Sequence, residues 1–212
     1  MADLLSEIFL DEKLVDRVKR RLPCMFKIAE MDISRGGRVG MEVGVLREQI
    51  IIALLIYKFG EDNVITDIPT NEPQTDVKLR GHDNPISIKT KTGSGLSGVK
   101  LVWTVDWRMV EEFCSNYYPT HDTLFINVNW NKRGVFAYVP LSVHREVFEY
   151  LGRASYIKQP KRGTNPRGVE ISSKALKLCL EHADTKKIDI IWQCDDVVEY
   201  SPYNRWVELW AN

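Results

Sequence analysis

Residues 75–91 carry the types and spacing of side chains that are best suited to chemistry. They read TDVKLRGHDNPISIKTK, two strand-like stretches joined by a Gly-His-Asp-Asn turn. Because successive strand side chains alternate between faces, Asp76 lies on the polar face of the first stretch. The polar face of the second stretch carries Ser87, Lys89 and Lys91. The pattern predicts a carboxylate and a lysine on the same side of a hairpin.

The register of this hairpin decides which lysine faces the acid. If Arg80 pairs with Pro85, Asp76 falls directly opposite Lys89, because cross-strand partners lie about 5 Å apart. A register slip of two residues would put Lys91 in that place instead. We expect Lys89 and keep Lys91 as the alternative.

Glu48 supplies a second carboxylate. It lies one turn into the apolar helix VGVLREQIIIALLIYKF, and its helical neighbours Ile51, Ile52 and Leu55 form a face that should pack against a sheet. A charged carboxylate on such a face is costly unless it is paired or binds a metal. Glu48 is therefore a candidate metal ligand.

These residues resemble the motif of the PD-(D/E)XK nuclease superfamily: an acid on a helix, an Asp on one hairpin strand and x-x-Lys on the next. The superfamily core has the order α-β-β-β-α-β, and residues 43–139 are predicted to follow it. The segment GGRVGMEVGVLRE, which leads into the apolar helix, looks like the corresponding segment of several type II restriction endonucleases. The ThaI-like enzymes, which cut a short palindrome of C and G only, are the closest group, and the resemblance covers roughly residues 35–140.

Two positions depart from the superfamily motif: Thr75 replaces the proline before Asp76, and Ser87 occupies the acidic position of the D/E-x-K triplet. Glu48 is the natural replacement for the missing acid. The resemblance then implies that Asp76 and Glu48 bind Mg²⁺ together with the backbone carbonyl of Ile88. Lys89 positions or activates the attacking water, and Ser87 is an accessory catalytic residue.

The resemblance implies a type II restriction endonuclease: a Mg²⁺-dependent homodimer that hydrolyses double-stranded DNA at a short palindrome and is accompanied by a cognate methyltransferase. Two alternatives remain open. One is a structure-specific repair or junction nuclease of the same superfamily. The other is a DNA-binding module that has the nuclease fold without catalysis.

Glycine-rich and basic segments are the candidate DNA contacts. The loop before the Glu48 helix contains two arginines and a methionine that is placed to wedge between base pairs. A second basic stretch, 153–177, has a Gly- and Pro-rich centre, and the loop 93–98 is expected to lie beside the active site. The predicted DNA-binding residues are Arg35, Arg38, Met41, Lys91, Ser94, Lys158, Lys161, Arg162 and Arg167.

The composition limits the function classes. The 212 residues include 29 Lys plus Arg and 29 Asp plus Glu, so the formal net charge is zero, which argues against a general DNA coat. The longest apolar run, 50–57, is well short of the ~20 residues that span a bilayer. The N-terminal residues lack the basic start of a signal peptide, and the four widely spaced cysteines give little support for a disulfide framework. We expect a cytoplasmic protein without a membrane partner.

The predicted fold class is α/β, a mixed central sheet flanked by helices, in a single nuclease domain over 1–212. The catalytic core spans about 43–139, an N-terminal helix covers 3–20 and ends near Pro23, and the region 141–212 serves DNA contacts and dimerisation. Further helices are predicted at 43–59, 106–116, 141–151 and 173–182. Strands are predicted at 63–68, 75–80, 85–91, 122–130, 134–139 and 187–193.

Overall fold

Helices and short strands alternate along the chain in a computed structural model that describes residues 3–34, 42–69, 72, 74–194, 201 and 203–211. The helices are α1 (Ser6–Leu10), α2 (Glu12–Ile33), α3 (Val43–Phe59), α4 (Trp107–Asn116), α5 (Leu141–Leu151), α6 (Arg153–Tyr156), α7 (Ser173–Glu181) and α8 (Asn204–Ala211), with a 3-10 turn at Glu61–Asn63. The strands are β1 (Val64–Ile65), β2 (Lys78–Leu79), β3 (Ile86–Thr92), β4 (Lys100–Val102), β5 (Asp122–Val128), β6 (Arg133–Val139), β7 (Ile157–Lys158), β8 (Val169–Ile171) and β9 (Lys186–Ile191).

A mixed sheet of order β3-β5-β6-β9 divides two hydrophobic cores. Strand β3 is parallel to β5, and the other neighbours are antiparallel. Along β5, Leu124 and Ile126 point into an N-terminal core with α1, α2 and α3, whereas Phe125 points into a C-terminal core with α4, α5 and α7. This central strand directs apolar side chains to both sides of the sheet because helices cover each side.

Strand β3, at the edge of the sheet, has one apolar face and one polar face. Ile86 and Ile88 lie in the N-terminal core, while the opposite face carries Ser87, Lys89 and Lys91. A smaller antiparallel sheet of order β4-β8-β7 packs onto the C-terminal core. The predicted mixed α/β fold and the main element order are therefore confirmed, and the polar face of β3 is the place where functional side chains can gather.

The hairpin register predicted from the sequence is wrong. Strand β2 pairs with β1, and the bridge to β3 joins Val77 to Ile86. The N–H groups of Asp76 (2.9 Å) and Val77 (3.3 Å) both donate to the Ile86 carbonyl, the two-against-one pattern of a β-bulge. Pairing at Ile86 rather than Pro85 shifts Asp76 toward Ser87, and a bulge cannot be recognised from strict alternation.

The N-terminal helix also differs from its prediction, because α2 continues through Pro23 to Ile33. A helix-interior proline costs ~3 kcal/mol, but Leu14, Val18 and Phe26 of α2 are buried, and each such side chain contributes about 1.5–3 kcal/mol. A disulfide joins Cys24 of α2 to Cys194, 170 residues away. Nothing in the spacing of the four cysteines indicated this disulfide.

A buried carboxylate, Asp122, lies at the start of β5 and is held by several hydrogen bonds. Asp122 accepts hydrogen bonds from the Leu141 backbone N–H (2.5 Å) and from Nε2 of His82 (2.6 Å). Nδ1 of His82 lies 3.3 Å from Asp3. Burial alone would lower the pKa of His82, but the hydrogen bonds to Asp122 and Asp3 outweigh it and raise this pKa to about 9. In the part of the chain that is described, no helix has the length and apolar character to cross a membrane.

Candidate active site

Asp76 is held through one of its two carboxylate oxygens. Its Oδ2 accepts hydrogen bonds from the backbone N–H of Ile88 (2.5 Å) and from Oγ of Ser87 (3.2 Å). Nζ of Lys89 lies 3.6 Å from the same oxygen. The other oxygen, Oδ1, has no hydrogen-bond partner among the described residues. Asp76 is thus fixed in orientation while it keeps one oxygen for a ligand.

Lys89 rather than Lys91 faces this carboxylate. The ammonium group of Lys91 contacts the Thr92 carbonyl at 3.4 Å in an exposed position, whereas the side chain of Lys89 is 23% exposed and that of Asp76 18%. The register error did not change this outcome because a shift of two residues keeps each side chain on its face. The structure thus brings together Asp76, Ser87 and Lys89, as predicted.

Glu48 joins this cluster from helix α3. Burial raises the pKa of its carboxyl group to about 7, and the nearby Asp76 carboxylate raises it as well, while Lys89 acts in the opposite direction. The helix lies there because Ile51 and Leu55, on the same face, are fully buried in the N-terminal core. Two carboxylates that repel each other at one site are a typical arrangement for binding a cation.

The donor set at this site fits a divalent cation that keeps water ligands. Glu48 and Asp76 offer carboxylate oxygens, and Mg²⁺ prefers one or two carboxylates plus waters. Within the described residues, no group of three His, Cys, Asp or Glu side chains forms a closed metal site. Further protein ligands would have to be backbone oxygens, such as the predicted Ile88 carbonyl.

A buried arginine fixes the helix that carries Glu48. The guanidinium of Arg47 donates to Oγ1 of Thr92 at the end of β3 (2.8 Å) and to Oε1 of Glu30 in α2. Trp130 donates to the same Glu30 oxygen (2.8 Å). Since Arg47 precedes Glu48, these bonds set the position of α3 against β3. Nothing in the sequence indicates this role for Arg47, because a lone arginine in an apolar helix does not reveal a distant partner.

His121 was also missed, since its sequence context suggested only a structural or surface histidine. Its Nε2 is 2.9 Å from Oγ1 of Thr75, and it shares a cavity of about 30 Å³ with Lys89 and Ser87. Burial lowers the pKa of His121, and the charge of Lys89 lowers it further. Its place beside the cluster depends on the parallel pairing of Ser87 with Thr123, two residues after His121, which the sequence does not show.

The loop 93–98, predicted to lie beside the active site, directly follows β3. Its first residue, Gly93, donates to the Val128 carbonyl (2.8 Å), and Gly98 donates to Glu170 (3.2 Å). Ser94 is exposed between these anchors. The loop is tied at both ends and presents Ser94 to solvent.

The predicted basic stretch forms a cleft of about 550 Å³ around Glu170. Lys158 and Lys100, on the strands flanking Glu170, are paired with its carboxylate at 2.9 and 2.7 Å. Lys161 and Arg167 line the same cleft and have no ion-pair partner among the described residues.

Lys100 also lines the small cavity that Lys89 and Ser87 share, so the basic cleft borders the cavity beside the polar face of β3. Arg162 is engaged elsewhere: it pairs with Glu111 at 2.9 Å and lies over the ring of Trp107. The remaining predicted DNA contacts, Arg35, Arg38 and Met41, lie outside the described residues.

Comparison with known proteins identifies the family. The model of the family described as "Restriction endonuclease ThaI" matches residues 8–212. A solved structure described as "Restriction endonuclease in complex with substrate DNA" shares 50% sequence identity, covers 99% of each chain and has a TM-score of 0.90. No curated protein sequence matched the chain.

These findings favour the restriction enzyme over the repair nuclease and over the non-catalytic binding module. The family match spans nearly the whole chain, beyond the 35–140 on which the sequence resemblance rested. The chain belongs to the ThaI restriction endonuclease family and is a type II restriction endonuclease, a site-specific deoxyribonuclease.

Proposed function

We propose that the enzyme is a Mg²⁺-dependent homodimer that hydrolyses both strands of DNA at a short palindrome, with Glu48, Asp76 and Lys89 as its catalytic centre. The observation that carries this proposal is the convergence of two carboxylates and one lysine from α3, the bulge and β3. The DNA-bound structural neighbour supports double-stranded DNA as the substrate.

Each residue has a distinct role in this mechanism. Glu48 and Asp76 would hold the cation, and the Ile88 carbonyl is the proposed third protein ligand. Mg²⁺ supplies charge neutralisation at the phosphate and favours ionisation of the attacking water. Lys89 holds that water and stabilises the developing negative charge through its ammonium group. Ser87 keeps Asp76 in place by its hydrogen bond to Oδ2.

DNA follows the basic surface that leads away from this centre. Lys161 and Arg167 contact backbone phosphates, since their charges are not engaged by an acidic group of the described chain. Lys158, which is paired with Glu170, attracts the DNA phosphates through its charge without direct contact. Arg162 has to break its ion pair with Glu111 before it can contact DNA. Lys91 and Ser94 lie on the exposed side of the active centre. Arg35, Arg38 and Met41, in the segment before α3, complete the proposed contacts.

The chain contains one such centre among its described residues, whereas a double-strand cut at a palindrome needs two related by a two-fold axis. We therefore assign a second copy as the partner. The region 141–212 is the proposed dimer surface, and α8 exposes Val207 and Trp210 there. Sedimentation of the wild type and of Trp210→Ser tests this assignment: a dimer that weakens in the variant supports it, and a wild-type monomer on cognate DNA contradicts it.

The same function requires that host DNA be protected, so we propose a cognate methyltransferase and a cytoplasmic site of action, where the DNA lies. The decisive experiment is digestion of plasmid DNA with Mg²⁺ and sequencing of the ends. Discrete fragments with one end sequence support the proposal, whereas a smear contradicts it. Asp76→Asn should abolish cleavage but keep DNA binding in Ca²⁺, and Asp83→Asn, in the exposed turn nearby, is the matched control and should cleave normally.

A further inference from the structure

The backbone that carries Asp76 is irregular and needs support. Gln74, two residues earlier, has a φ of 73°, a left-handed conformation that costs a non-glycine residue about 1–2 kcal/mol. Asp76 itself lies in the bulge, where two N–H groups share one carbonyl oxygen. A regular strand ladder therefore does not hold the segment in place, and the hydrogen bonds from Ile88 and Ser87 reach only the carboxylate of Asp76. A further side-chain contact restrains the backbone that precedes it.

That contact is the hydrogen bond between Oγ1 of Thr75 and Nε2 of His121, at 2.9 Å. Nδ1 of His121 bonds the hydroxyl of Thr120 at 2.8 Å. A neutral imidazole has one donor and one acceptor, and each hydroxyl can complement either of them. Both ring nitrogens are thus used, which fixes the orientation of the ring.

His121 directly precedes β5, a strand of the central sheet. The next residue, Asp122, is fully buried, begins β5 and pairs with Ile86 of β3. Its carboxylate accepts hydrogen bonds from His82 and from the Leu141 backbone. The ring of His121 therefore connects the irregular segment to the best-fixed part of the sheet.

We propose that Thr75 and His121 form a positioning pair that holds Asp76 in its metal-binding orientation. The superfamily motif has proline at this position, and a proline ring fixes φ near −65°. Thr75 has no such internal restraint, so the hydrogen bond to His121 takes its place. This inference rests on the proposed role of Asp76 as a metal ligand.

Removal of the bond should impair metal use rather than folding or DNA binding. Groups that orient a metal ligand without touching the metal typically contribute about 10–100-fold to metal affinity or activity. We expect Thr75→Val and His121→Leu to lower the cleavage rate within this range and to raise the Mg²⁺ concentration at half-maximal rate. Thr75→Ser keeps the hydroxyl and His121→Gln keeps a hydrogen-bonding group, so both should retain most of the activity.

The test is single-turnover cleavage of a cognate duplex over a Mg²⁺ series, with DNA affinity in Ca²⁺ and the thermal unfolding midpoint measured on each variant. Thr66→Val, at an exposed site, is the control for the exchange of threonine for valine. The double variant Thr75→Val/His121→Leu should lose no more activity than either single variant, because both remove the same bond.

The outcomes separate this inference from the proposed function. If Thr75→Val and His121→Leu cleave with wild-type rate and Mg²⁺ dependence while Asp76→Asn is inactive, the positioning role is overturned and the catalytic centre stands. Equal losses in the conservative and the non-conservative variants also overturn it, since the hydrogen bond would then not be the cause. Normal cleavage by Asp76→Asn would overturn the proposed centre itself.

Discussion

Glu48 provides the sharpest prediction, because its carboxylate destabilises the protein when no metal is bound. The pKa of Glu48 rises from 4.5 to about 7 through burial and the nearby Asp76. Each pH unit between the folded and unfolded pKa corresponds to about 1.4 kcal/mol, so ionising Glu48 costs the folded state at most ~3 kcal/mol. Glu48 is partly exposed, so solvent screening reduces this to about 1–2 kcal/mol.

The direction in which the free energy of unfolding changes with pH depends on whether the folded or the unfolded state releases the Glu48 proton first. Below pH 4.5 the carboxyl is protonated in both states and there is no penalty. Between pH 4.5 and about 7 the unfolded chain ionises first, so the free energy of unfolding falls as the pH rises. Glu48→Gln removes this penalty. In EDTA at pH 8 the variant should be more stable than the wild type by about 1–2 kcal/mol, and at pH 4 the two should be equal.

Urea unfolding followed by tryptophan fluorescence measures this difference. Glu42→Gln is the matched control, since Glu42 is exposed at the start of the same helix. Ca²⁺ at about 100 times its Kd should stabilise the wild type by about 2.7 kcal/mol and the variant less, which reverses their order. If Glu48→Gln is no more stable than the wild type in EDTA, or gains equally from Ca²⁺, the paired-carboxylate cation site is refuted.

Three further predictions concern other parts of the molecule. The stability that His82 contributes is complete below pH 6.5 and is lost as the pH rises through about 9. Between pH 6 and pH 9.5 the free energy of unfolding of the wild type should therefore fall by up to ~3 kcal/mol more than that of His82→Gln. Lys89→Met should slow cleavage by about 100-fold or more, whereas Lys91→Met should stay within about threefold, and equal losses would contradict the observed register. Arg167→Ala should weaken DNA binding and lower the slope of log Kd against log salt by about 1, with a smaller effect from Arg162→Ala because Arg162 is engaged by Glu111.

The sequence predicted which side chains would lie together in the proposed catalytic cluster, because alternation and helical periodicity are local properties. Asp76, Ser87 and Lys89 keep their faces under any even register shift, so their proximity survived an incorrect pairing. Glu48 was proposed as a site residue because an acid on an apolar helix face needs a partner, and its carboxyl group does lie near Asp76 and Lys89. These inferences required no knowledge of long-range contacts.

Features that depend on tertiary contacts were not predictable. The bulge at Asp76 and the pairing of β2 with β1 are not indicated by any local pattern. The disulfide between Cys24 and Cys194 depends on α2 lying near the end of β9. Lys158 and Arg162 differ little in the sequence, yet each has an acidic partner from a different element, which distinguishes them from Arg167.

Ser87 stands where the motif has an acid, and burial explains why a second carboxylate is better placed elsewhere in the cluster. Ser87 is 3% exposed, and a carboxylate there would be desolvated directly beside Asp76. Such a charge would be ionised only at a high cost. Glu48 places the second carboxylate on a helix at the rim of the cluster, where it keeps partial contact with solvent and ionises with a pKa of about 7. The buried position then needs only a donor, and Ser87 provides it to Oδ2 of Asp76. The cluster keeps two carboxylates and one lysine, a net charge of −1 when Glu48 is ionised. A divalent cation bound there, as proposed, would reverse that charge and so favour the polyanionic substrate.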